Sequence, residues 1–239
     1  MELIAVSAGK GGVGKSCVAA YTGAALAKAG KRVLLIELGA QPRSLDMILG
    51  TSGDSLFHIK DLVYGRCDIY EAMTGIPGYG SLCLIPSAPG LRDPVAPEEM
   101  HMLLGILPRD FDYVIADGVE PRHFPADAAD MILLVVTPEL LAIRAAADVA
   151  HYFEEAGCGE IRLVINRVPP TVTPMKGISD FDDIIDMVGA RLIAVIPQSQ
   201  KLNYASNNSE FLGEDSLTPQ VFARIASRVM GEDAPLLIY

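Results

Sequence analysis

The chain has 239 residues, half of them hydrophobic, with 30 acidic side chains against 19 basic ones and a formal charge of -11. That length can bury the core of one large α/β domain, read here as a single domain over 1–239, while the negative balance repels nucleic-acid phosphates and anionic membrane surfaces. Cys17, Cys67, Cys83 and Cys158 form no CxxC pair, and His58, His101, His123 and His151 are dispersed, so redox and histidine-metal chemistry find no support.

The N-terminal stretch MELIAVSAGK has neither the basic nor the long apolar region of a secretory signal. The longest apolar run, MILLVV at 131–136, falls far short of the roughly 20 residues that span a bilayer. A cytoplasmic protein is expected.

Short runs rich in Val, Ile and Leu predict strands at 3–7, 32–38, 81–87, 113–118, 131–137, 161–167 and 191–197. Helix-length stretches separate them, the rhythm of a predominantly parallel sheet with helices on both faces. After the first strand, small residues at helical spacing run from Lys15 to a stop at Gly30, and a later helix is framed by Pro138 and Gly157. Gly- and Pro-rich segments at 75–80, 86–94 and 169–177 read as surface loops. The acids of DFDDIID at 180–186 read as the first turn of a helix, where the helix dipole favours negative charge, rather than as a metal site.

Residues 7–16, SAGKGGVGKS, carry the chemistry. Gly9, Gly14, Lys15 and Ser16 fit GxxxxGK[ST] between a strand and a helix. In such a loop the backbone N–H groups of Gly11, Gly12, Val13 and Gly14 converge on phosphate oxygens. Lys15 reaches the β and γ phosphates, and the Ser16 hydroxyl ligates Mg²⁺. Asp117 closes the run 113–118, where a carboxylate at a strand's C-terminal end also serves Mg²⁺, directly or through water.

Lys10 goes beyond that general pattern. With it, KGGVGKS resembles the deviant phosphate loop of the MinD/ParA family of dimeric ATPases. The likeness runs nearly the whole chain and points to the MinD branch, through RSLDMILG (43–50), LIPSAPGLRD (84–93), VVTPELLAIRAAADV (135–149) and VIPQSQKLNYASNNSEF (195–211). The resemblance implies that ATP or ADP binds with Mg²⁺, and that Lys10 reaches the nucleotide of the other subunit in an ATP-bound homodimer, the counterpart of an arginine finger. It further implies that Asn166 and Arg167 cradle adenine, that Pro197 lies in the stretch closing the base pocket, and that the closed dimer engages a protein partner.

The departures from the family concern the groups that spend ATP. Where the second strand should end Asp-x-Asp, the chain reads Glu37-Leu38-Gly39. Glu37 is expected to replace the first carboxylate in catalysis, whereas Gly39 cannot replace the second, which orients the attacking water. Gly118-Val119-Glu120-Pro121 stands for Ser-Pro-Ala-Gly after Asp117, and Cys17 stands where a threonine hydroxyl commonly faces the α-phosphate. Binding should survive these changes and hydrolysis should be slow, because a positioned base contributes on the order of 10²- to 10⁴-fold. No Lys or Arg follows Arg228, so the basic amphipathic C-terminal helix that takes MinD proteins to membranes has no counterpart; recruitment to a membrane or pole would fall to a partner. Two readings stand: an ATP-dependent dimerisation switch in the spatial organisation of the cell, or a non-hydrolysing nucleotide-binding scaffold of the pilus-positioning type. Net charge speaks against a third, DNA segregation of the ParA type.

Overall fold

The computed structural model describes residues 1–39, 44–88, 95–170, 178–208 and 217–237. In chain order the elements are β1 (Glu2–Ser7), α1 (Lys15–Lys28), β2 (Val33–Glu37), α2 (Leu45–Ile48), α3 (Ile59–Val63), α4 (Ile69–Ala72), β3 (Thr74–Ile76), β4 (Tyr79–Ile85) and α5 (Pro97–Ile106). They continue with β5 (Tyr113–Val119), β6 (Met131–Val136), α6 (Leu140–Glu155), β7 (Ile161–Val168), α7 (Phe181–Val188), β8 (Arg191–Pro197), α8 (Gln200–Asn207) and α9 (Leu217–Val229).

All eight strands join one sheet in the order β3-β4-β2-β5-β1-β6-β7-β8, parallel except for the β3–β4 pair. Every residue of β2 and β6 is buried, which requires cover on both faces of the sheet and explains why these strands read as unbroken apolar runs rather than as alternation. Helix α1 packs against β1, β2, β4 and β5 and against α9, where Tyr21 stacks on the buried Phe222 with ring centroids 5.2 Å apart. Helix α6 covers β6 and β7. No helix among the described residues is long and apolar enough to cross a membrane.

One expectation is corrected. The Gly-Pro segment at 75–80, read from sequence as a surface loop, contributes the edge strand β3, which pairs antiparallel with β4. Ile76 faces Tyr79 across Pro77 and Gly78, and Gly78 has φ 78°, the left-handed conformation that a tight turn requires and glycine permits. Three residues are too few to show a strand's alternation. The acids at 180–186 do form a helix start: the Asp180 side chain accepts from the Asp183 N–H as the N-cap of α7. Residues 171–177 of the segment 169–177, residues 89–94 of the segment 86–94, Arg43, residues 209–211 and residues 238–239 lie outside the described residues.

The order of strands places the site. Chain direction across the sheet reverses at β1, which has β5 on one side and β6 on the other, and in open α/β sheets ligands bind beyond the carboxyl ends of the strands at such a switch point. Parallel registry brings Val6, Glu37 and Asp117 level there, with Val6 and Glu37 both paired to Asp117.

Candidate nucleotide-binding site

A cleft of about 1030 Å³ opens at this edge, lined by the loop between β1 and α1 and by residues from the ends of β2, β5, β7 and β8 and from α8. Its size falls at the upper end for small-molecule sites.

Packing fixes the loop's shape. A Cβ at Gly9 would stand 2.1 Å from the Ala145 carbonyl oxygen of α6, so helix and loop backbones touch there. Gly14, the N-cap of α1, has φ 99°, and a Cβ on it would meet Asn166 Nδ2 at 2.4 Å. Asn166 and Arg167 hold the loop from the end of β7. Asn166 Nδ2 donates to the Val13 carbonyl at 2.7 Å, and the Arg167 guanidinium donates to the Gly12 carbonyl at 2.8 Å. Arg167 achieves this with φ 56°, its backbone N–H bonded to Asn166 Oδ1 at 2.9 Å. Both side chains line the cleft, as does Pro197. The pair expected at the base thus also engages two carbonyls of the phosphate loop, a brace that the dipeptide alone gives no sign of.

Lys15, Ser16 and Asp117 meet at the foot of the cleft. Asp117 is 2 % exposed. Burial pushes its carboxyl up to about 6; the Ser16 hydroxyl and the Lys15 charge pull against this, and Glu37 adds to it. Asp117 Oδ1 is buried with no hydrogen-bond partner among the described residues. An orphaned oxygen of this kind beside a hydroxyl and a lysine suits a divalent cation, since a hard cation takes carboxylate and hydroxyl oxygens.

The catalytic role expected of Glu37 finds both of its oxygens occupied. Oε1 accepts from the Ser44 N–H at 2.6 Å and the Leu45 N–H at 3.0 Å, and Oε2 accepts from the Ser87 hydroxyl at 2.9 Å and the Ser87 N–H at 3.2 Å. Glu37 thereby ties the start of α2 to the segment after β4. Gly39 has no side chain to offer, and among the described residues a Cβ there would meet only Gly118 Cα, at an ordinary 3.7 Å. The Cys17 thiol lies 3.9 Å from the Ser206 hydroxyl, and burial pushes it up to about 11, so it is a neutral thiol against the nucleotide cleft and no nucleophile.

Lys10 lies at the rim with its Nζ 2.5 Å from Oε2 of Glu139, the N-cap residue of α6, both side chains about half exposed. The hydrogen bond from Lys10, followed by its charge, lowers the Glu139 carboxyl below its usual range. Sequence reasoning misses Glu139 as a member of this neighbourhood and places Glu120 and Ser206 there only within the segments 118–121 and 195–211. The Thr-Pro-Glu run marked Glu139's surroundings but not its partner, 129 residues away.

These features define a phosphate-loop nucleotide-binding protein. Residues 4–212 match the family model described as the CobQ/CobB/MinD/ParA nucleotide binding domain, and the chain belongs to that family. It is 34% identical over 245 residues to the septum site-determining protein MinD of Synechocystis sp., an alignment covering 99% of this chain and 92% of that one. The fold superposes on the Aquifex aeolicus MinC:MinD cell division protein complex with a TM-score of 0.88, 31% identity and coverage of 100% of this chain and 99% of that one. It also resembles MinD of Pyrococcus horikoshii, solved with Mg-ADP, with a TM-score of 0.80, 21% identity and 95% coverage of each chain; at that identity the likeness is one of fold.

Proposed function

We propose that the protein is an ATP-dependent dimerisation switch that works, as a single nucleotide-binding unit, in placing the division site or a related cellular structure. The observation that carries the reading is the convergence of the braced phosphate loop, Lys15 and Ser16 on the unpartnered buried oxygen of Asp117. Loop N–H groups and Lys15 bind the phosphates, Asn166, Arg167 and Pro197 contact the base, and Cys17 packs by the α-phosphate. Mg²⁺, which the Pyrococcus relative holds with ADP, would be carried by Ser16 and Asp117 and would neutralise phosphate charge.

Lys10 is poised at the rim in an exposed ion pair, which costs little to break. A γ-phosphate on the opposite subunit offers it more charge than Glu139 does, so ATP rather than ADP closes the dimer. The closed pair then presents a surface to a protein partner. The Aquifex MinD complex makes a MinC-type protein the first partner to test. The protein acts in the cytoplasm, and its partner brings it to a membrane or pole; the net charge of -11 disfavours DNA.

Titration calorimetry with ATP and ADP, with and without Mg²⁺, tests the site, and light scattering with a nonhydrolysable ATP analogue tests the switch. Absence of binding at millimolar nucleotide rejects the reading. Gly39 favours a second reading, a scaffold that binds ATP without turning it over; phosphate release no faster than that of Lys15→Ala would select it.

A further inference from the structure

Three carboxylates line the cleft among the described residues: Glu37, Asp117 and Glu120. Glu37 is saturated by Ser44, Leu45 and Ser87. Asp117 is buried beside Ser16 and Lys15, the place of a metal ligand. Residues 40–43, which follow Gly39, read AQPR and contain no acid. Glu120 is the carboxylate left uncommitted to loop or metal. It follows β5 directly, its side chain is 60% exposed, and its Oε2 lies 3.3 Å from His123 Nδ1.

The backbone explains why a carboxylate from this loop can serve a position that the β2 loop has vacated. Gly118 has φ 76°, and a Cβ on it would lie 2.7 Å from both Cα and N of Gly39. The segments leaving β2 and β5 therefore touch backbone to backbone, and the Leu38 N–H donates to the Asp117 carbonyl at 2.8 Å beside the contact. The two glycine departures from the family pattern are two sides of one seam. Glu120 stands two residues beyond that seam and faces the same cleft as Gly39.

We propose that Glu120 supplies, from the β5 loop, the carboxylate that orients and deprotonates the attacking water in place of the acid missing at Gly39. The assignment rests on the ATP-binding reading above. In the step it serves, the water oxygen bonds to the γ-phosphorus while the bond from that phosphorus to the β–γ bridging oxygen breaks. The bridging oxygen leaves on ADP with the electron pair. The water's proton passes to the Glu120 carboxylate and from there to solvent.

Glu120→Gln tests the assignment in two ways, with the exposed α5 residue Glu98→Gln as control. Removing a negative charge that faces the γ-phosphate should tighten binding of a nonhydrolysable ATP analogue several-fold in calorimetry while leaving ADP binding unchanged. Phosphate release at saturating Mg-ATP should fall about 10²-fold, towards the Lys15→Ala background, and Glu120→Asp should recover part of it. The side chain is exposed, so thermal melts of the variants should match wild type. The assignment is overturned if Glu120→Gln keeps wild-type turnover, if the ratio of analogue to ADP affinity does not move, or if wild type, with ADP bound normally, releases phosphate no faster than Lys15→Ala. If wild type binds no ADP, the nucleotide-binding reading itself fails and this assignment with it.

Discussion

Lys10, which lines the nucleotide cleft, and Glu139 form an ion pair with Nζ 2.5 Å from Oε2, joining the phosphate loop to the start of α6 within one chain. On the proposed reading the lysine turns from Glu139 to a phosphate of another subunit. Breaking the pair therefore accompanies dimerisation on the proposed reading, and Glu139→Gln should shift the balance toward dimer in the presence of a nonhydrolysable ATP analogue. An exposed pair is worth at most about 1 kcal/mol and two of them break per dimer, so the dimer dissociation constant should not shift by more than about 30-fold. Lys10→Ala should abolish the nucleotide-dependent change in mass. Light scattering over a protein concentration series reads both, and a Glu139→Gln variant that dimerises less readily than wild type would reverse the argument.

Glu37→Gln should lower stability rather than act first on turnover. Glutamine must turn its NH₂ group toward either the Ser44 and Leu45 N–H groups or the Ser87 N–H, setting donor against donor in a buried site. Hydrogen bonds to a charged group are worth roughly 1.5–3 kcal/mol each, and an unsatisfied buried donor costs a similar amount, so a loss of about 2–4 kcal/mol is expected. Urea unfolding without nucleotide measures it.

Gly39 and Gly118 should respond oppositely to a side chain. Gly118→Ala forces an L-residue to φ 76° and drives its Cβ into the Gly39 backbone, which should cost about 2 kcal/mol or more. Gly39→Asp meets only ordinary contact among the described residues, so its unfolding midpoint should stay near wild type and its phosphate release should rise. Denaturation and a phosphate-release assay on the two variants decide the matter.

Asp117 gives the protein a pH dependence of definite sign. Burial is the main cause that lifts its carboxyl from 3.8 to about 6, so between those values the folded chain keeps a proton that the unfolded chain has released. Its contribution to the stability of the nucleotide-free protein is therefore most favourable below about pH 4 and declines as pH rises to about 6. A divalent cation selects the ionised form. The Mg²⁺-dependent part of ADP affinity should fall about tenfold per pH unit below about 6, with proton release on binding, and Asp117→Asn should remove the dependence. Calorimetry in buffers of different ionisation enthalpy measures the proton count.

Much of this site is contiguous in sequence. The phosphate loop, its strand and its helix lie within residues 2–28, and the loop's conformation needs glycine at set positions, so residue order alone discloses it. Seven of the eight strands among the described residues announce themselves as runs rich in Val, Ile and Leu, unbroken where, as in β2 and β6, both faces are buried; β3 does not, since three residues paired along an edge carry no such pattern.

What the sequence by itself determined is thus the chemistry that neighbouring residues perform together: a glycine-rich loop, its lysine and serine, and an acid ending a buried strand. Tertiary structure alone decided which distant groups those residues meet. The sheet order sets the ends of β2, β5 and β1 side by side and puts β7 on the far side of β6 from β1. That placement lets Asn166 bind Val13 across 153 residues, lets Lys10 find Glu139, and lets Ser87 fill the carboxylate of Glu37. It also brings Gly118 against Gly39. These contacts depend on which strands lie adjacent and in what register, and both follow from packing of the whole chain rather than from any local run of residues.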